Sequence, residues 1–265
     1  MTEPVQLFVL DIDGCISHPF QTPNWEAISE IRNLNRRSRS EEHIPMVTLC
    51  TGRPLPYAEA VAQWLDIRSP FVFESAALYN PAANRVETEV DADEDAGEAD
   101  LHEGSEILIP VREMKQWLRK EILPHYPGTA LEFTKMIDAG VVSPDKQQIL
   151  EIYELIMTHV RSNYPELEVH RTDISVNILL AGNNKGRGIE MISRELDVPL
   201  EQMAYIGDSE GDLLPLKRVG MSFAPLNAID RVREISEVMP YETSEAVLAA
   251  YRKIIRRNRE LELQT

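Results

Sequence analysis

Apolar residues recur along this chain in two different rhythms, and their order predicts the architecture. Residues 5–10 form a short, wholly apolar run apart from Gln6, closed by Asp-Ile-Asp-Gly. Such a run, bounded by a turn, is the signature of a strand buried in a parallel sheet. Residues 46–50, 71–73, 203–206 and, more briefly, 221–223 repeat it. Helical periods lie between them. Residues 25 to about 38 place Ile28, Ile31 and Leu34 on one face with Asn24 as the N-cap, and a second helix covers about 56–66. Further helices are predicted for 186–196, for the stretch up to about 219, and for a long basic segment from 244 to about 259. Strands alternating with helices in this way predict an α/β fold, doubly wound around a mostly parallel, Rossmann-like sheet.

The second rhythm occupies the middle. Residues 74–79 and 85–87 read as a β-hairpin about the turn at 80–84. After it, 111–122 is helical, 130–133 and 137–142 are strands, Ser143-Pro144-Asp145 opens a helix to about 162, and 167–171 and 174–180 are strands. Helix, strand, strand, twice over, predicts an antiparallel sheet with two helices on one face: an α+β module set into the α/β domain. The expected boundaries are 1–88 with 182–265 for the core, 107–181 for the insert, and 89–106 for a loop between them. That loop crowds Glu89, Asp91, Asp93, Glu94, Asp95, Glu98, Asp100 and Glu103 together without the ordered spacing of an EF-hand, which reads as a solvated segment.

Composition narrows the function. The formal net charge is -17, from 44 acidic against 27 basic residues, so non-specific association with nucleic acid or anionic membranes is excluded. A phosphorylated substrate would be repelled too, unless local cations and a metal overcome the field. No stretch approaches the ~20 apolar residues of a membrane span. The first four residues lack the basic start and apolar stretch of a signal peptide, so the cytoplasm is the expected compartment. Cys15 and Cys50 are too few for a disulfide framework or a zinc site. Cys50 ends a buried strand; Cys15, in the turn after Asp13, is the expected accessible thiol.

Four segments carry chemistry: Asp11-x-Asp13, Thr51, Lys185, and Asp208 with Asp212. Three of them follow predicted strands, whose ends share one edge of a parallel sheet, where α/β proteins bind ligands. Two carboxylates one residue apart are hard to keep ionised without a cation or a shared proton. Carboxylates without histidine or cysteine partners suit a hard, oxygen-seeking ion such as Mg2+. The Thr51 hydroxyl, the Gly52 backbone N–H and the Lys185 ammonium suit a phosphate. Together these groups imply phosphoryl transfer with an aspartate nucleophile.

Asp11-Ile12-Asp13-Gly14, Thr51-Gly52-Arg53, Lys185-Gly186 and Gly207-Asp208-Ser209-Glu210-Gly211-Asp212 resemble, in order, the four motifs of the haloacid dehalogenase superfamily. The resemblance covers the whole chain. The insert is similar to the C2B-type cap of Cof-like, sucrose-phosphatase-like and mannosyl-3-phosphoglycerate-phosphatase-like members. Two positions depart from the pattern. Phe73-Glu74-Ser75-Ala76-Ala77 carries Ser and Ala where the family has Asn and Gly, and Gly211 stands where many relatives have Asn.

The resemblance implies a phosphatase acting on a small phosphorylated metabolite, a sugar phosphate or phosphoglycolate-like ester, with a phosphomutase or a non-catalytic binding protein on the same fold as the alternatives. It implies that Asp11 attacks phosphorus and that Asp13 serves as general acid and then general base. Mg2+ would be held by Asp11, the Asp13 carbonyl and Asp208, and the phosphoryl oxygens by Lys185 and Thr51. Asp212 either supports Lys185 or a metal-bound water, or is simply a helix-start acid. Arg53 either contacts substrate or forms a structural ion pair. Lys135, His170, Arg171 and Asn177 are the candidates for selecting the substrate, with Lys135 and Asn177 foremost because they fall in or beside predicted strands.

Overall fold

The computed structural model describes residues 3–88 and 108–263, and the acidic stretch from Glu89 onward falls largely outside them. The chain forms two compact units, Met1–Val86 with Asn184–Thr265, and Glu87–Asn183.

In the first unit, β1 (Leu7–Leu10) lies between β2 (Met46–Leu49) and β10 (Met203–Ile206), and every residue of β1 is wholly buried. The sheet continues through β11 (Met221–Ala224) to β12 (Glu237–Val238), in the order β12-β11-β10-β1-β2, all parallel. Register matters more than order. Leu10 stands opposite both Leu49 and Ile206, so Asp11, Cys50 and Gly207 follow one another on a single line at the carboxyl edge. Backbone bonds hold that line, from Asp11 N–H to the Ile206 carbonyl at 3.1 Å and from Cys50 N–H to the Leu10 carbonyl at 2.9 Å.

Helices α1 (Trp25–Arg37), α2 (Leu55–Trp64), α5 (Lys185–Leu196), α6 (Leu213–Arg218), α7 (Asp230–Arg233) and α8 (Thr243–Glu262) surround the sheet. Asn24 caps α1 by accepting from the Ala27 N–H, as its position in the sequence predicts. The side chain of Asn258 on α8 bonds both the N–H and the carbonyl of Val5, at 2.9 and 2.8 Å, and so fixes the chain as it enters β1.

One expected core strand behaves differently. β3 (Phe71–Phe73) pairs antiparallel with β4 (Ala77–Asn80), which adjoins β5 (Arg85–Thr88), and meets β2 through one bridge, Cys50 to Val72. Glu74 and Ser75 cause this. Both take left-handed backbone angles, φ 43 and φ 67, so the chain reverses as soon as β3 ends.

The second unit holds a four-stranded antiparallel sheet, in the order β6 (Ala130–Leu131), β7 (Ala139–Val142), β9 (Ser175–Leu180) and β8 (Leu167–Arg171). Helices α3 (Ile109–Trp117) and α4 (Lys146–Asn163) pack against it. Asp145 caps α4 through the N–H groups of Gln147 and Gln148. The predicted strands at 130–133 and 137–142 are shorter than expected, because Glu132 to Lys135 form a turn closed by the Lys135 N–H on the Glu132 carbonyl at 3.2 Å. The predicted helix 111–122 changes winding at Leu118, where a π turn (Leu118–Ile122) begins.

Candidate active site

Asp11 is the first residue beyond β1, with its side chain 5% exposed. Its Oδ1 lies 2.7 Å from the ammonium of Lys185, the first residue of α5, where Asn184 caps the helix through the Arg187 N–H. The same ammonium donates to Asp212 Oδ1 at 2.8 Å. Lys185 therefore bridges two buried carboxylates at nearly equal distances.

Asp212 is saturated with donors. Its Oδ1 also accepts from the Tyr205 hydroxyl at 2.7 Å, and its Oδ2 accepts from the Asp208 N–H, the Ser209 N–H and the Ser209 hydroxyl at 3.1, 3.0 and 2.9 Å. Gly207 makes this possible, because a Cβ there would sit 2.4 Å from the Asp212 Cγ. Burial alone would raise this carboxyl, yet the Lys185 charge and the converging hydrogen bonds hold it below the usual range.

The other two acids behave oppositely. Burial lifts Asp11 to about 7 against the pull of Lys185, and Asp212 and Asp13 add to the rise. Burial lifts Asp208 to about 8, reinforced by Asp212 and Asp11. For Lys185, burial works against the charged form, and Asp11 and Asp212 more than compensate, so it stays an ammonium.

The carboxylates of Asp11 and Asp208 and the thiol of Cys15 each place one ligand atom within 4.8 Å of the others. Two repelling acids so placed fit a divalent cation, whose charge would ionise both. Their oxygen donors fit Mg2+. Gly14 shapes this corner. It takes φ +73, and a Cβ on it would lie 1.9 Å from Asp208 Oδ2, so only glycine admits the carboxylate there.

Asp13 points elsewhere. Its two oxygens are taken by Arg53, Nε to Oδ2 at 2.6 Å and a terminal nitrogen to Oδ1 at 2.8 Å, so a metal contact through this residue is left to its backbone carbonyl. Thr51 is buried at the end of β2, its hydroxyl accepting from the Arg53 N–H at 3.2 Å. Gly52 lies between them, with Ser75 Oγ 3.5 Å from the position a Cβ would take. The left-handed turn braces this segment, through the Glu74 N–H on the Arg53 carbonyl at 3.0 Å and the Ser75 N–H on the Thr51 carbonyl at 2.9 Å.

The first unit thus brings together Asp11, Asp13, Thr51, Gly52, Arg53, Lys185, Asp208 and Asp212. Lys135 and Asn177 belong to the second unit and meet each other. The Lys135 ammonium donates to Asn177 Oδ1 at 2.7 Å and lies 3.5 Å from Glu132 and 3.7 Å from Asp138. His170 and Arg171 are exposed on β8, the first 3.3 Å from Glu168 and the second 5.7 Å from the ring of Tyr153.

Cys15 corrects the sequence reading. The turn after Asp13 winds back on itself, Cys15 N–H and Ile16 N–H both reaching the Ile12 carbonyl, and carries the thiol inside, fully buried. Burial, with Asp208 next, pushes it well above the ordinary thiol range, so it is not an accessible nucleophile. Tyr205 and Asn227 went unread. Asn227 donates to the Gly14 carbonyl at 3.0 Å. The available signal for Tyr205 was a lone hydroxyl within an otherwise apolar strand, which needs a partner.

Residues 120–250 match the family model described as haloacid dehalogenase-like hydrolase. The chain is 23% identical to the phosphoglycolate phosphatase of Methanopyrus kandleri, over 94% of this chain and 97% of that one. Among solved structures, a protein from Thermoplasma acidophilum aligns with TM-score 0.70 at 14% identity, covering 95% of this chain and 99% of its own. Sucrose-phosphatase from Synechocystis, in complex with sucrose and phosphate, aligns with TM-score 0.66 at 12% identity, covering 95% and 98%. The fold and these comparisons make the chain similar to the haloacid dehalogenase-like hydrolases. No helix among the described residues is long and apolar enough to cross a membrane.

Proposed function

We propose that this enzyme is a Mg2+-dependent phosphatase of small phosphate monoesters, working through a phosphorylated Asp11. The observation that carries the proposal is the Lys185 bridge. A buried ammonium 2.7 Å from one carboxylate and 2.8 Å from a second, which it helps to hold ionised, is an arrangement for holding a dianionic group against a nucleophile.

An oxygen of Asp11 attacks phosphorus, and the substrate oxygen leaves with the bonding pair. Asp13 gives that alkoxide a proton as it departs, and the alcohol diffuses away. Asp13, now a base, takes a proton from a water that attacks the phosphoryl group on Asp11. The P–O bond to Asp11 then breaks, phosphate leaves, and Asp11 returns as a carboxylate. Throughout, Lys185 and the Thr51 hydroxyl hold phosphoryl oxygens, and Asp212 keeps Lys185 in place. Asp11, the Asp13 carbonyl and Asp208 would hold Mg2+, which when bound would supply positive charge to keep the acids ionised and to offset the charge on the phosphoryl oxygens.

Arg53 serves Asp13 before it serves substrate. Lys135 and Asn177 of the inserted unit, which sit with Glu132 and Asp138 in a cluster rich in hydrogen-bond acceptors, are proposed to select the ester. The acceptors suit the hydroxyls of a sugar phosphate, and the Lys135 ammonium suits the carboxylate of a phosphoglycolate-like ester; the cytoplasm is the proposed place of work. The test is phosphate release from a panel of sugar and small-acid phosphates, with and without Mg2+. Release that needs Mg2+ and disappears in Asp11→Asn is expected. Release by pure Asp11→Asn protein would refute the mechanism.

A further inference from the structure

We propose that Tyr205 is a positioning residue for this reaction, its buried hydroxyl keeping the Lys185 ammonium shared between Asp212 and Asp11. The inference rests on the phosphatase reading above.

Tyr205 lies on β10 in the run Met-Ala-Tyr-Ile, and all four residues are fully buried. Its ring packs in the core among Leu7, Val9, Cys50, Val72 and Ile189. A phenylalanine would fill the same space without bringing a polar atom into it. The hydroxyl instead finds Asp212 Oδ1 at 2.7 Å, with the Cys50 carbonyl farther off at 3.4 Å. A hydroxyl has one proton to give, and the shorter, charged acceptor takes it.

The consequence lies one bond further on. Asp212 Oδ1 has two donors, a neutral one from Tyr205 and a charged one from Lys185, while Oδ2 already has three. The neutral donor satisfies Asp212 without adding charge, which weakens that oxygen's hold on the ammonium. Lys185 can then remain at 2.8 Å from Asp212 and 2.7 Å from Asp11. Without the hydroxyl, Oδ1 is left to the ammonium alone. Lys185 is drawn toward Asp212, and Asp11 loses part of the cation that would face the phosphoryl oxygens.

The test compares wild type, Tyr205→Phe, Asp212→Asn and the double variant, with Asp11→Asn as the inactive control. Tyr205→Phe should fold, melt within a few degrees of wild type, and lose kcat by roughly ten- to a hundredfold, the scale produced by a misplacement of about 1 Å. In the Asp212→Asn background the same change should cost less than about twofold, because the link is already cut. A Tyr205→Phe enzyme with wild-type kcat overturns the proposal, as does a loss undiminished in the Asp212→Asn background or a collapse of the fold. The Lys185 Nζ resonance, assigned by its disappearance in Lys185→Arg, reads the same relationship without turnover. It should shift in Tyr205→Phe, and an unmoved resonance overturns the proposal. Absence of phosphate release from wild type is a different result. It removes the phosphatase reading, and the resonance still decides whether Tyr205 positions Lys185.

Discussion

Arg53 holds both carboxylate oxygens of Asp13, at 2.6 and 2.8 Å, while its guanidinium lies 4.9 Å from the centre of the Tyr57 ring. A two-pronged bond of this kind fixes the plane of a carboxylate as well as its position. If Asp13 exchanges protons with the leaving group, its aim depends on Arg53. Arg53→Ala should therefore slow esters with poor alkoxide leaving groups by roughly tenfold or more, within the usual reach of general acid catalysis. An aryl phosphate such as p-nitrophenyl phosphate, which needs little protonation, should be affected far less. Arg53→Lys cannot make the fork and should lie between. Equal losses on both ester types would assign Arg53 to substrate binding.

Lys185 is the counter-charge for Asp11 and Asp212 together. Lys185→Met leaves two buried carboxylates facing each other and should destabilise metal-free protein by about 3–5 kcal/mol at neutral pH, the usual cost of breaking a buried pair. Urea denaturation measures it. The loss should be largest above pH 7 and shrink below it, where Asp11 takes up a proton instead.

The lifted acids give stability a pH slope. Asp11 and Asp208 have folded values of about 7 and 8, well above those of free carboxylates, so between about pH 4 and 8 the folded chain binds protons that the unfolded chain has released. Their stabilising contribution is complete below the unfolded range and is lost as pH rises through 7 and 8. Asp212, held low, acts in the opposite sense and withdraws its contribution only in strong acid. Metal-free protein should melt at falling temperature from pH 5 to 8, and Mg2+ should restore the difference at pH 8. A flat profile without metal would contradict the burial of these acids.

Gly14 offers a sharper probe of the proposed metal site. A Cβ at this position would overlap Asp208 Oδ2 and would force an L side chain into φ +73. Gly14→Ala should raise the Mg2+ concentration needed for half-maximal activity by roughly ten- to a hundredfold, the effect usual for disturbing the surroundings of a metal ligand. A magnesium titration of activity and of melting temperature checks it.

The sequence exposes these groups unevenly, for physical reasons. Asp11, Thr51 and Asp208 each end an apolar run, and parallel register carries their strand ends to one edge without further information. Lys185 is marked by its place at a helix start. What escaped reading depends on distances across the fold. Tyr205 looks like one more strand residue until Asp212 is seen beneath its hydroxyl. Cys15 looks exposed in a Gly-containing turn until the turn winds inward. β3 has a strand's composition, yet two left-handed residues after it decide which neighbour it takes. β12 and α7 are too short, at two and four residues, to show a period.

The place of β1 in the middle of its sheet has a consequence for how the enzyme comes into being. One flank is closed by β2, which leaves the ribosome soon afterwards. The other waits for β10, and the whole inserted unit must be synthesised in between. Until then the nascent chain carries a wholly apolar strand with one open edge, the kind of edge that pairs with strangers. Pairings of such long sequence separation also form slowly. Chain that leaves the ribosome before β10 has docked therefore carries β1 with its β10-facing side unpaired.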